Sequence, residues 1–370
     1  MTGKHLLIFS YDYPPSNGGI ARLCQEIADG MNIYYTSVTV LTIKKKGISK
    51  PYNFDKVEVV ELPSRRIWTE IVAWWYLFRL KNKKSTNVLC GLWHPEGALC
   101  ILAGVKNVYV LAHGTELLSG SSKFRKKIWL PFYGKFVLES VKKVIANSHY
   151  TQGLINSISE KVNSVALPLA VNHNFFEPSL RVNDHNVLKI CTVSRVLQFK
   201  GHDFIARSIS KLPKHIQSQV HWNIGGTGSY LEELKLLVTQ LNINHLVSFH
   251  GFVADNMLPE FYGSNDVFVL CTREEKMSTS VEGFGLVFLE AQSCGIPAIG
   301  TKTGGIPDAI EDGNGGWLIE QDNESELCSL IERLVLDREL VKEMGILARK
   351  RVVDNCTWNG YCDKLNRIIK

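Results

Sequence analysis

Two glutamates with a glycine-rich stretch between them have the types and spacing best suited to chemistry. They lie in residues 280–297, SVEGFGLVFLEAQSCGIP, where seven residues separate Glu282 from Glu290. Residues 266–270 (DVFVL) read as a short buried strand. Gly283 and Gly285 punctuate the loop that follows, and 286–293 read as a helix closed by Gly295 and Pro297. Most positions of that helix are apolar (Leu286, Val287, Phe288, Leu289, Ala291), so it is buried on most sides and Glu290 is its odd residue. A buried carboxylate is costly unless something satisfies it. At about 1.5 Å of rise per residue, Glu290 stands roughly 7 Å from the helix start, and Glu282 precedes that start. The free N–H groups of the helix N-terminus lie between them and offer a seat for phosphate. The layout suits a ligand with hydroxyls at both ends and phosphates in the middle, as in a nucleotide sugar. The competing reading is two structural carboxylates, one capping the helix and one in a buried ion pair.

Other candidates follow strand ends. Residues 4–10 (KHLLIFS) read as a buried strand running into YDYPPSNGG, where Gly18 and Gly19 let the chain turn into a helix over 20–30. A strand over 107–112 ends in His113-Gly114-Thr115-Glu116. A strand over 188–193 leads into SRVLQFKG, whose Arg195 and Lys200 can converge on one diphosphate. Residues 221–224 lead to Gly225-Gly226-Thr227-Gly228, and 247–250 to Gly251-Phe252-Val253. His94, in Trp93-His94-Pro95-Glu96, reads as structural, and the polar loop 273–280 carries no chemistry of its own. Further strands are expected over 38–43, 57–62, 87–91, 141–147, 165–169 and 317–319, with helices over 325–336 and 339–355. Strands alternating with helices place the chain in the α/β class.

In their order and spacing, YPPxxGGI, HGxE, SRVLQFKG, GGxG, EGFGLVFLE and TGGIPD resemble the motifs of the family-4 retaining glycosyltransferases. The subgroup most resembled holds the phosphatidylinositol and O-antigen mannosyltransferases. The resemblance implies a GT-B fold, two Rossmann-like domains whose parallel sheets face across a cleft. It implies an acceptor-binding domain over 1–178, a nucleotide-sugar domain over 187–356 and a C-terminal helix, 357–370, crossing back to the first. The polar run 179–186 is the expected linker. Glu290 would hold the ribose hydroxyls. Glu282 and the backbone of Gly283, Phe284, Gly285, Leu286 and Val287 would hold sugar and phosphates. Arg195 and Lys200 would neutralise the leaving diphosphate, and His113 would lie against the transferred sugar. Gly18, Gly19, Gly226, Gly228 and Val253 complete the donor set. The expected reaction moves a hexose, mannose from GDP-mannose first, to a hydroxyl of a lipid-linked saccharide. A UDP-hexose or UDP-N-acetylhexosamine donor is the alternative, as is a nucleotide-sugar epimerase or hydrolase of the same fold. No metal or cofactor is expected.

Composition sets the remaining bounds. The 370 residues, 45% hydrophobic, suffice for two cores. Nine cysteines without a Cys-x2-Cys pair point to neither zinc nor a redox pair, and reduced thiols fit the cytosol. Residues 1–172 carry 22 Lys and Arg against 11 Asp and Glu, the remainder 20 against 25. Much of the basic excess falls in two aromatic stretches, 65–84 (RRIWTEIVAWWYLFRLKNKK) and 122–137 (SKFRKKIWLPFYGKFV). Both suit a membrane interface, where anionic lipid attracts each cation by about 1 kcal/mol. A cytoplasmic protein, peripheral on the inner face of the cell membrane, is expected, with no nucleic-acid partner.

Overall fold

The computed structural model describes residues 5–16, 18–45, 57–80, 83, 85–179, 187–275 and 280–370. The linker expected over 179–186 therefore lies, apart from Ser179, outside the described residues, as do Lys81 and Lys84 of the first aromatic stretch. The chain divides into two compact units, Met1–Leu167 with Trp358–Lys370, and Pro168–Thr357.

Unit 1 is built on β1 (His5–Phe9), β2 (Ser37–Ile43), β3 (Val57–Leu62), β4 (Thr86–Cys90), β5 (Val108–Ala112), β6 (Lys143–Ala146) and β7 (Ser164–Ala166). They form one parallel sheet in the order β3-β2-β1-β4-β5-β6-β7. Strands covered on both faces need continuous apolar runs, and every residue of β5 (VYVLA) is buried. The last helix, Trp358–Ile368, returns to this unit against the helix Gly19–Met31. Contact is close at Gly30, where a Cβ would stand 2.4 Å from the Cys362 Sγ. The Ile369 carbonyl then accepts from Asn87 Nδ2 at 2.9 Å and from the Tyr109 hydroxyl at 3.1 Å.

Unit 2 holds β8 (Leu188–Val193), β9 (Val220–Gly225), β10 (Val247–Gly251), β11 (Val267–Leu270), β12 (Ala298–Thr301) and β13 (Gly316–Ile319). Their order is β10-β9-β8-β11-β12-β13, again parallel. In each sheet the chain steps outward from its first strand and then reverses. The switch points lie between β1 and β4 and between β8 and β11, and ligands of such sheets bind beyond the strand ends there. Two features depart from the sequence reading. Strand β12 was not foreseen, because four small or mixed residues between GIP and KTGG carry no strand pattern. Residues 168–176 belong to unit 2, although the reading carried the first domain to 178. Their anchor is Arg349, whose Nη1 reaches the carbonyls of His173 and Phe176 and of Ser293 at 2.8–2.9 Å.

Candidate functional site

The expected helix is Leu286–Ser293, entered through Gly285 at φ 90°. That positive φ suits glycine, and a Cβ there would also stand 2.5 Å from the Phe288 ring. Helix residues 288–293 are buried, as are Gly283, Phe284 and Gly285, while Leu286 and Val287 are partly exposed. The Phe284 ring is thus packed away from solvent. Among the described residues no side chain caps this N-terminus. The loop before it is pinned by the Gly305 N–H, which donates to the Glu282 carbonyl at 2.8 Å.

The two glutamates fare differently. Glu282 pairs with Lys200, Nζ to Oε2 at 2.5 Å, with both side chains largely covered. An ammonium carries three donors, so Lys200 can hold this carboxylate and an anion together. Glu290 is 5% exposed and accepts from the Tyr262 hydroxyl at 3.0 Å. Burial and the Glu290 carboxylate hold the Tyr262 hydroxyl well above its ordinary pKa, so it stays a donor. Tyr262 has no motif, lies 28 positions from its partner, and escapes sequence reasoning.

Arg195 and Lys200 lie on the loop between β8 and the helix His202–Lys211. Arg195 is exposed, and its guanidinium makes no hydrogen bond or ion pair among the described residues. The loop is held from within. The Ser194 hydroxyl lies 3.3 Å from His202 Nε2 and donates to the Arg195 carbonyl at 3.1 Å. His202 is wholly buried, and desolvation, aided by Lys200, lowers its pKa to about 3, so the ring stays neutral. Gly201, at φ 75°, passes so near the Cys271 carbonyl that a Cβ would stand 1.8 Å from its oxygen. Gly226 and Gly228 meet comparable limits, at 1.8 Å from the Ser194 carbonyl and 2.2 Å from the Val196 carbonyl. Internal backbone contact therefore requires both glycines independently of any ligand. Arg273 carries a structural task, since it binds both oxygens of Asp203 at 2.7 and 2.9 Å and reaches Asp322 at 2.6 Å. Val253 lines a cavity of about 460 Å³ with His250, Phe252, Met257 and Phe261, beyond β10.

In unit 1, Gly18 and Gly19 open the helix Gly19–Met31, and a Cβ at either would meet nothing within 4 Å among the described residues. His113 follows β5. Its Nε2 donates to the Gly91 carbonyl at 2.9 Å, so in the neutral ring Nδ1 carries the free lone pair. Its N–H donates to Glu116 Oε1 at 2.7 Å, and its carbonyl accepts from Asn147 at 3.3 Å. His94 meets the Tyr133 hydroxyl through Nδ1 at 2.8 Å, inside an aromatic cluster with Trp93 and Trp129.

Residues 177–351 match the family described as "Glycosyl transferases group 1". Those residues form a group 1 glycosyltransferase domain, and the protein is a glycosyltransferase. This glycosyltransferase is 29% identical to the GDP-mannose-dependent alpha-(1-6)-phosphatidylinositol monomannoside mannosyltransferase of Mycolicibacterium smegmatis, over 98% of each chain. It is 24% identical to the monoacylated-substrate counterpart of Corynebacterium glutamicum, over 99% of this chain and 98% of the other. Among solved structures it resembles the Anabaena Alr3699/HepE protein at TM-score 0.77 and 17% identity, each chain covered to 99%. It also resembles a Rickettsia africae glycosyltransferase at TM-score 0.78 and 19% identity, over 99% and 98%. Its fold is GT-B.

Proposed function

We propose that this glycosyltransferase moves mannose from GDP-mannose to a hydroxyl of a lipid-linked saccharide, retaining the anomeric configuration, in the assembly of a cell-surface glycan. The observation that carries the reading is the Lys200–Glu282 pair beside the N-terminus of Leu286–Ser293, with Glu290 buried along the same helix. GDP-mannose is favoured because relatives aligned over their whole length carry that donor in their names.

In this reading the diphosphate sits on the helix N-terminus and on Arg195 and Lys200. Glu282, oriented by Lys200, accepts from the sugar hydroxyls, and Glu290, oriented by Tyr262, accepts from the ribose. The base enters the cavity beside Val253. The C1–phosphate bond breaks as the acceptor oxygen bonds C1 from the same face, and the acceptor proton passes to an oxygen of the departing diphosphate. The cations neutralise the charge that develops there. In unit 1, His113 offers its Nδ1 lone pair to a ligand beyond the end of β5. Gly18 and Gly19 leave room for a ligand at the N-terminus of the helix Gly19–Met31.

The acceptor side of the reading rests on unit 1. The helix Arg66–Phe78 buries only Thr69, Ala73 and Leu77, and exposes Ile67, Trp68, Ile71, Trp74, Trp75 and Phe78. Arg79 lies over the Trp75 ring at 4.0 Å and Lys83 over Phe78 at 4.6 Å. Exposed apolar rings with cations at their rim suit an anionic lipid surface. Among the described residues no helix is long and apolar enough to cross a membrane, so contact would be interfacial.

A thermal-shift screen against GDP-mannose, UDP-glucose, UDP-galactose and UDP-N-acetylglucosamine tests the donor. Ligand at 100 times its Kd adds about 2.7 kcal/mol of stability. GDP-mannose should raise Tm, and Glu290→Ala should abolish the shift. A shift with a UDP sugar alone overturns the donor assignment, and no shift with any of the four overturns the donor site proposed here.

A further inference from the structure

Glu290 can meet a ligand at a fixed angle only if its helix neither slides nor rotates, and a helix of 8 residues has little hold of its own. The last four carbonyls of a helix look for partners beyond it. In Leu286–Ser293 they belong to Glu290, Ala291, Gln292 and Ser293. The first three accept from the N–H groups of Cys294 at 3.1 Å, Ile296 at 3.2 Å and Gly295 at 3.0 Å. The fourth accepts from Arg349 Nη1 at 2.8 Å, reaching across from the helix Arg338–Asn355. A guanidinium there also answers the negative end of the helix dipole. The two helices close tightly one turn before Arg349, where a Cβ on Gly345 would stand 2.4 Å from the Gly295 carbonyl oxygen.

The same guanidinium binds the first stretch of unit 2. Besides the His173 and Phe176 carbonyls, Arg349 Nη1 reaches the Ser293 hydroxyl at 2.9 Å. That hydroxyl donates in turn to the Phe176 carbonyl at 2.7 Å. Ser293 stands three residues from Glu290, on the same face of the helix. The buried Phe176 ring meets Tyr262 edge-on at 6.1 Å, and Tyr262 donates to Glu290. Next to Tyr262 the chain from Phe176 onward passes close again, since a Cβ on Gly263 would stand 2.0 Å from Ser179 Oγ. The contacts close a ring from Glu290 through Ser293, Phe176 and Tyr262 back to Glu290, with Arg349 at its junction.

We propose that Arg349 and Ser293 are positioning residues for nucleotide binding, which hold Glu290 at the angle from which it accepts from the ribose hydroxyls, with residues 168–176 as their brace. This inference rests on the donor reading above. A general scaffold would support every part of the donor alike. This ring closes on Glu290, and Ser293 stands about 10 Å along the helix from the N-terminus assigned to the diphosphate. Loosening the ring should therefore fall on the ribose contacts.

Isothermal titration calorimetry with GDP and UDP, each beside its 2′,3′-dideoxy form, tests this. For the diphosphate that binds, the wild type should prefer the ribose form at least tenfold. Ser293→Ala keeps the main-chain carbonyl for Arg349. It should cut that preference severalfold while affinity for the dideoxy form stays within twofold. Arg349→Lys keeps the charge without the planar fork and should cut the preference further. Should Arg349→Lys fail to fold, Ser293→Ala decides alone. On a Glu290→Gln background, Ser293→Ala should move neither affinity beyond twofold. A Ser293→Ala protein that keeps the wild-type preference, or that loses affinity for both forms equally, overturns the inference and leaves the donor reading standing. A wild type that binds both forms equally, or neither, overturns the donor reading and this inference with it.

Discussion

Glu96 should make the stability of unit 1 depend on pH. It follows β4 at the switch point and is 1% exposed. Oε1 accepts from the Tyr11 N–H at 3.1 Å, but Oε2 has no partner among the described residues. Desolvation raises its pKa from 4.5 to about 7, with a smaller push from Asp12. A raised folded-state pKa means that the native state binds the proton more tightly than the unfolded chain. The contribution is fully present below about pH 4.5 and is lost as pH rises through about 7. That difference corresponds to about 3 kcal/mol. Glu96→Gln keeps an acceptor for Tyr11 and carries no charge to desolvate. At pH 8 the variant should therefore gain about 3 kcal/mol relative to wild type compared with pH 4. A unit of this size gains about 2–4 °C per kcal/mol, so the difference in Tm between variant and wild type should widen by about 6–12 °C. Calorimetry at the two pH values reads this directly, and the two units can be followed as separate transitions. A difference that stays within 1 °C from pH 4 to pH 8 would refute a buried, proton-holding Glu96.

Tyr262→Phe removes the donor to Glu290 Oε2. Hydrogen bonds to charged groups are worth about 1.5–3 kcal/mol, so the unit 2 transition should fall by about 3–12 °C, with donor affinity falling too. An unchanged Tm would show that Glu290 does not depend on it. Gly201→Ala should leave little folded protein, because its Cβ has no room beside the Cys271 carbonyl. Gly18→Ala and Gly19→Ala should keep Tm within 1 °C and lower turnover, and equal losses of stability at all three would refute the division between packed and open glycines. Replacing Trp68 and Phe132 together by Ser should cut co-sedimentation with phosphatidylglycerol vesicles at least tenfold, since each buried aromatic contributes about 1.5–3 kcal/mol. Equal partitioning of variant and wild type would exclude these faces from lipid contact.

What could be read beforehand divides along physical lines. Helix Leu286–Ser293 was legible because glycines bracket it and a single glutamate interrupts its apolar run. Strand ends were legible wherever β-branched runs met glycine or a lone histidine. The support around the site was not. Tyr262, the neutral His202 and the Asp203–Arg273–Asp322 link act across the fold and leave no local spacing. Glycines were ambiguous for a related reason. A glycine that admits a ligand and one that admits a neighbouring carbonyl look alike in sequence, and only the space around Gly18 and Gly226 tells them apart. The apolar faces of 65–84 and 122–137 were visible as composition, but which residues face outward depended on what Thr69, Ala73 and Leu77 bury.

The return of Trp358–Ile368 to unit 1 bears on how the protein is made. When Leu167 leaves the ribosome, the sheet of unit 1 is complete, yet the helix Gly19–Met31 still lacks the partner that covers Gly30, and Asn87 and Tyr109 lack the Ile369 carbonyl. That partner emerges only after all of Pro168–Thr357 has been translated. At about 5–20 residues per second, the nascent chain waits roughly 10–40 s with this seam open. Unit 2, contiguous in the chain, can close first. The order of completion then runs against the order of synthesis, and a ribosome stalled within unit 2 would release a first unit with its last seam unsealed.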